Sequence, residues 1–492
     1  MEMLFSKSVY HCLRQVVHQT QTQEQTQELR LTDGMPDIGR VLGCWGQSVI
    51  RGKEWRSSGM NVSGGVMVWL LYAPEDGSQP RTMESWIPFQ MKWDFNETQR
   101  DGTILVTPYL RSIDCRTISA RKAMVRVNVG IDGEALEHTE AEGYQPQEVP
   151  EKLQLLQRNY PMMLPKEAGE KAFQIEEILA MPDNLPKIAN IVRYELIPAV
   201  KEMKVLAGRL IFRGNCKLKL LYQCQEGELH SWDTSVAFSQ FVDLDRDYTT
   251  NAAVDIRLIL TGLELSAGEE LKLVCGLSAQ YVIFDREEIR VVEDAYFPHK
   301  KVELQMQTLH IPTKLDVSES NMKLSCNIPD DAHEIQDIWT AWDHPSILKD
   351  EDSADVTLAG QMHILYKDAE GALQSVTSHS EDTWNLPCDK KNNIRIDLLP
   401  DISVSEGTGI AAYAGVSAHI SAAQEIPMVT GLQITDKEDN GKEKPSLILC
   451  RVGDRGLWEI AKSYDSTVDD IRNINLLNQE PLKDSYILIP IA

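Results

Sequence analysis

One interval occurs twice in this chain of 492 residues, and it constrains the fold more than any other feature. "MPDIGRVL" (Met35–Leu42) returns as "LPKIANIV" (Leu185–Val192), each with a proline, an isoleucine two residues on and an apolar pair shortly after. The interval from Pro36 to Gly64 equals that from Pro186 to Gly214. Gly64 opens "GGVMVWLLY" and Gly214 opens "GNCKLKLLY", closed at the same offset by Tyr72 and Tyr222. A turn-like acidic segment and then an aromatic residue, Phe89 or Phe238, follow in both. A third copy runs from "IPDDAHEIQDIW" (Ile328–Trp339) to "LAGQMHILYKDAEGAL" (Leu358–Leu373), where Gly360 stands two residues closer to Tyr366. That slip is even, so the alternation of strand faces survives it. A period of roughly 150 residues is the size of a domain and too long for a solenoid module.

Inside each copy the apolar residues alternate. Cys216, Leu218, Leu220 and Tyr222 flank Lys217 and Lys219; Val125, Val127, Val129 and Ile131 flank Arg126 and Asn128; Ile256, Leu258 and Leu260 flank Asp255 and Arg257. Period two predicts strands with one face buried and one wet, and the Gly-containing turns between them predict antiparallel hairpins. The expected fold class is mainly β and multidomain: three repeated antiparallel β-sandwich or barrel-like domains over 1–148, 149–298 and 299–434, the third divergent. The tyrosines at the strand ends are read as core residues whose hydroxyls reach the rim. "QTQTQEQTQE" (Gln19–Glu28) is read as a solvated loop or edge strand, and the stretch from Val149 to Phe173 as a connector that starts helical and is broken by prolines. A charged tether over 435–446 leads to a last domain over 447–492.

That last segment changes period. Leu457, Ile460, Ala461 and Tyr464 line one face of a first helix. Thr467 with Asp470 forms a cap for a second, lined by Val468, Ile471 and Ile474. "LILC" (Leu447–Cys450) and "YILIP" (Tyr486–Pro490) read as flanking strands, giving β-α-α-β, with Trp458 and Leu457 as core.

Chemistry is sought in vain. No nucleophile elbow, zinc-helix motif or phosphate loop is present, so no catalytic residue, metal site or cofactor is expected. The nine cysteines form no CxxC pair, which favours reduced thiols. The formal charge of -25 disfavours nucleic acid and anionic membrane faces. No long apolar run and no signal architecture are seen, so a cytoplasmic protein without membrane insertion is expected. Monomer and oligomer both stay open.

The final segment resembles the LysM domain, "GDTLWxIAxxY…N…L…G…LxIP", at Gly453, Asp454, Leu457, Trp458, Ile460, Ala461, Tyr464, Asn475, Ile489 and Pro490. Its first loop, "GDRGLW", is one residue longer than the family's, and Asp484 stands where the family usually has Gly. The resemblance implies a groove between two loops that holds N-acetylglucosamine glycans in the family. Carried over, the loops are Gly453, Asp454, Arg455, Gly456 and Leu457, and Asn475, Leu476, Leu477, Asn478 and Gln479. The repeated unit is similar to the SPOCS domain, and the whole arrangement resembles the SipL family of clostridial spore coat assembly proteins. That resemblance implies a non-catalytic protein of the mother-cell cytoplasm at the forespore surface. Its LysM would dock on a coat morphogenetic ATPase or another coat protein, with peptidoglycan glycan as the alternative ligand.

Overall fold

Long alternating runs with few internal breakers give long strands, and the chain is built almost entirely from them. The computed structural model describes residues 2–97, 101–406, 409–437 and 445–491. The first repeat holds β1 (Glu2–Met3), β2 (Phe5–Arg30), β3 (Ile38–Arg56), β4 (Gly59–Pro74), β5 (Arg81–Asp94), β6 (Thr103–Ser119) and β7 (Lys122–Pro146). The second holds β8 (Gln154–Leu179), β9 (Ile188–Leu206), β10 (Arg209–Cys224), β11 (Leu229–Asp243), β12 (Ala253–Ala267) and β13 (Leu271–Tyr296). The third holds β14 (Lys300–Cys326), β15 (Ala332–Trp342), β16 (Ser346–Lys349), β17 (Ser353–Asp368), β18 (Leu373–Pro387), β19 (Asn393–Glu406) and β20 (Ile410–Asp436). A head of β21 (Leu447–Arg451), α1 (Leu457–Ser463), α2 (Val468–Asn475) and β22 (Tyr486–Pro490) ends the chain.

Each repeat makes the same two antiparallel sheets. The long sheets run β2-β7-β6, β8-β13-β12 and β14-β20-β19. The short ones run β3-β4-β5, β9-β10-β11 and, with β15 and β16 sharing one side of β17, β15-β17-β18. In the third repeat the first short strand is cut at Asp343–Pro345, because proline has no N–H to give the ladder.

The repeated spacings now have a cause. Tyr72 donates its hydroxyl to the Pro36 carbonyl at 3.0 Å and Tyr222 to the Pro186 carbonyl at 3.0 Å. In the third copy Tyr366 reaches the Asp331 side chain instead, at 3.2 Å. Gly64 pairs across the sheet with Phe89, and Gly214 with Phe238. A Cβ at Gly214 would meet the Ala199 carbonyl oxygen at 1.9 Å and the Phe238 ring at 2.7 Å, so the ring lies over bare backbone.

The repeats close on one another in a cycle. β3 packs on β12, β9 on β19, and β15 on β6, so each repeat touches the next and the third touches the first. The three long hairpins also meet mutually and bury a shared core of Cys12, Met162, Leu164, Ile289, Leu309 and Ile426. The N-terminal β1 pairs with β20, tying the first repeat to the third.

Two expectations change, and one, the edge strand at Gln19–Glu28, is met. Val149–Phe173 is not helical: β8 runs unbroken through most of it and pairs along β13. Gln19–Glu28 is the edge portion of β2; Gln21 and Gln27 bond to the Lys92 carbonyl and Ser85 on β5. β20 extends through Thr435 and Asp436, which pair with Lys301 and Lys300, so part of the expected tether is sheet; 438–444 lie outside the described residues.

Candidate functional site

The head folds around Leu457, Ile460, Ala461, Ile471, Ile487 and Ile489, all buried, between two helices and a two-stranded antiparallel sheet. Thr467 caps α2 as its sequence position predicts: its hydroxyl accepts the Asp470 N–H at 3.0 Å and donates to the Asp470 carboxylate at 2.6 Å. Ile474, expected on the buried face of α2, is exposed.

The ten expected groove residues do not line one surface. Leu457 is core. Asn475 is spent inside the head: it donates to the Ile471 carbonyl at 2.8 Å and the Leu488 carbonyl at 2.6 Å, and accepts the Leu488 N–H at 2.7 Å. Leu477 packs against the core. Arg455 is exposed, and its Nη2 donates to Cys450 Sγ at 3.3 Å and the Arg451 carbonyl at 3.2 Å. The Gly453–Leu457 loop is held against the segment that follows the second loop: Gly453 N–H donates to the Lys483 carbonyl at 2.9 Å, Asp454 pairs with Lys483 at 2.7 Å, and Leu457 N–H donates to Glu480 at 3.1 Å. Gly456 stands open at the start of α1. A cleft of about 430 Å³ is lined by 475–482 and 485–487 and by none of 453–457. Leu476, Asn478 and Gln479 sit there, beside Leu482 and Tyr486, which sequence reasoning did not single out. Leu476 caps α2 with φ of 51°, which turns its side chain out to 88% exposure.

Trp458 is half-buried: it packs against the core of the head, and it also fastens the head to the second repeat. Its indole N–H donates to Asp294 Oδ2 at 2.8 Å and its ring meets Tyr296 edge-on at 4.9 Å. Lys462 donates to both Asp294 oxygens at 2.7 Å, and the Tyr296 hydroxyl donates to the Ser466 carbonyl at 3.0 Å. A helical face read from one segment cannot reveal that its aromatic residue covers another domain. The seat lies at the end of β13.

The repeat that carries this seat also matches a known family. Over β9 to β12 the chain fits the model of the SipL SPOCS domain. Residues 187–265 form a SipL SPOCS domain. No curated protein and no solved structure matches the chain. The matched span takes in the short sheet and β12 and omits the long strands β8 and β13. Because the first and third repeats share its strand order, the SPOCS domain is the middle one of three like-built units.

Buried charges join the SPOCS domain to its neighbours. Arg257 donates to Glu134 of the first repeat at 2.7 Å, Arg395 of the third repeat donates to Asp255, and Arg193 forms a two-pronged pair with Asp337 of the third repeat at 2.8 and 2.7 Å. Arg111 pairs with Asp343 to close the cycle from first to third. Asp255 and Arg257 were expected on a wet face. They are buried, because the side of β12 away from its own core is covered by the other repeats. Burial would raise the Asp397 carboxyl, yet the Arg395 charge, a bond from His419 and the Arg257 charge together hold it well below the usual range. Asp255, Asp397 and His419 come close enough to share a metal ion. The Arg395 guanidinium already bonds both carboxylates, so the donor set is neutralised by the protein itself. Among the described residues no helix is long and apolar enough to cross a membrane.

Proposed function

We propose that this chain is a non-catalytic assembly protein of the spore coat, acting at the forespore surface in the mother cell. Its three SPOCS-type units would be the scaffold, and its head would be a LysM-type module that docks on a coat morphogenetic protein. The SPOCS match over 187–265 carries the reading, supported by the recurrence of the same strand order on either side. The β-α-α-β order of the head, with its LysM-like residues in the core, at the cap and at the end of β22, supports the module.

A protein partner is favoured over glycan by what surrounds the cleft. Leu482 is 81% exposed and Tyr486 65%, beside the outward Leu476. Clustered exposed aliphatic side chains suit the apolar core of a protein interface. The largest aromatic residue of the head, Trp458, faces the second repeat, which leaves Tyr486 as the ring at the cleft on which a sugar could stack. Affinity capture from sporulating cells with the tagged full chain tests this. Leu476→Asp with Leu482→Asp should lose the captured coat protein with circular dichroism unchanged. Capture that survives the double change, or retention of the wild type on insoluble peptidoglycan alone, would favour the glycan reading.

A further inference from the structure

The three long hairpins are kinked at matching places. Register shifts fall between Gln15 and Val17 of β2, between Pro165 and Glu167 of β8 (opposite Phe284 and Ile283), and between Lys314 and Asp316 of β14. A bulge bends its strand and re-aims the neighbouring side chain. Gln15, Pro165 and Lys314, the residues just before the extra one, all line a single cavity of about 320 Å³ where the repeats meet. Most of the remaining wall is apolar, with Leu13, Leu136, Val282, Phe284 and Ile394 among its residues.

The charges around this cavity are nearly all satisfied within the protein. Glu134 accepts from Gln15 at 2.9 Å and from Arg257 at 2.7 Å. Arg395 serves Asp255 and Asp397, Arg14 donates to Glu137 at 2.8 Å, and His419 Nε2 meets Asp397 at 3.2 Å. His310, at the rim, faces Glu425 at 3.6 Å. Two cationic or donor groups of the lining are left over, and beside it Arg257 Nη1 is also buried without a partner. Lys314, half-buried, has no hydrogen bond or ion pair among the described residues; its ammonium lies 4.8 Å over the Phe284 ring. His419 Nδ1 is buried without a partner. At the two matching bulge positions stand a neutral glutamine and a proline, so Lys314 is the one cation of the three, and Asp255 and Asp397 act on it only through space, without a hydrogen bond or ion pair.

We propose that this cavity binds a small organic anion, a carboxylate on an apolar body, with Lys314 as its counter-ion. An apolar enclosure of this size with a few convergent polar groups is the usual form of a small-molecule site. A lone ammonium in such walls is costly until an anion joins it. Burial already pushes the Lys314 amine below the ordinary lysine value, against the opposing pull of the Asp255 and Asp397 carboxylates. Because all three repeats contribute walls, the ligand would bridge them and stabilise the closed cycle in proportion to its occupancy.

Calorimetric titration of the full chain with octanoate and benzoate tests the site, with octanol as the uncharged counterpart. At least one of the two acids should bind saturably at one site per chain, and octanol at least tenfold more weakly than octanoate. Lys314→Met should weaken the acid at least tenfold and Lys314→Arg by less than threefold, with circular dichroism unchanged. Ala422→Leu, which fills the cavity and keeps the lysine, should also abolish binding; it decides the matter if Lys314→Met does not fold. Absence of saturable binding by both acids, wild-type affinity in either the Lys314→Met or the Ala422→Leu variant, or octanol binding as well as octanoate would overturn the proposal.

Discussion

Replacing Trp458 by alanine should free the head from its seat without unfolding it. The indole N–H gives a hydrogen bond to the Asp294 carboxylate at 2.8 Å, and bonds of that kind contribute about 1.5–3 kcal/mol. The edge-on contact with Tyr296 at 4.9 Å adds about 0.5–1.5 kcal/mol. Together these shift the docked-to-undocked ratio by roughly 30- to 1,600-fold, at 1.4 kcal/mol per factor of ten. Trp458→Phe keeps the ring and loses only the hydrogen bond, so it should fall between the alanine variant and the wild type. Hydrogen exchange reads the outcome by peptide. Peptides around Asp294–Tyr296 and Leu457–Ser466 should exchange faster in the alanine variant, while the β21–β22 pairing stays protected. Faster exchange throughout the head, with loss of helical circular dichroism, would refute the reasoning and return Trp458 to the core. Unchanged exchange everywhere would show that the seat contributes nothing.

The pair of Arg193 and Asp337, with side chains 3% and 8% exposed, should cost about 3–5 kcal/mol in urea unfolding when Asp337→Ala leaves the guanidinium uncompensated; the double change Arg193→Met with Asp337→Leu should cost clearly less, and an equal cost would argue against a buried pair. His363 is pushed down to about 4, chiefly by burial, as it packs edge-on against Trp45 at 5.4 Å with Nδ1 unpartnered. Its folded value lies below the unfolded one of about 6.5, so stability is full above that pH and falls by about 3 kcal/mol as pH drops toward 4. The difference in unfolding free energy between wild type and His363→Met should change across that window and be flat above it; parallel profiles would contradict the assignment. Gly214→Ala forces a Cβ within 1.9 Å of the Ala199 carbonyl oxygen and should lower stability by about 1–3 kcal/mol, whereas wild-type stability would mean that the bulge relaxes freely.

The repeat was legible because it rests on local constraints. A tyrosine that must reach a proline carbonyl, and a glycine that must lie under a phenylalanine, fix intervals that a sequence displays directly. The helix cap at Thr467 was legible for the same reason. What lay hidden depends on contacts between repeats. Asp255 and Arg257 alternate with Ile256 and Leu258 as any half-wet strand would, and only the neighbouring Glu134 and Arg395 turn that face into an interior. The same holds for Trp458, whose partner Asp294 is far away in sequence; Asn475, expected at a groove, is bonded instead to Ile471 and Leu488 within the head. One signal was available in principle: Asp-x-Arg in β12 and Arg-x-Asp in β19 place opposite charges on one strand face, a pattern that an internal ion-pair seam requires and a solvated face does not.

The proposed docking role requires the head to recognise protein and not glycan. Titration calorimetry of the full chain with N-acetylglucosamine oligomers tests it most directly. No saturable heat is expected up to about 1 mM, equivalent to less than roughly 4 kcal/mol of binding free energy; saturable binding in the low micromolar range would overturn the protein-docking reading and make the head a peptidoglycan anchor.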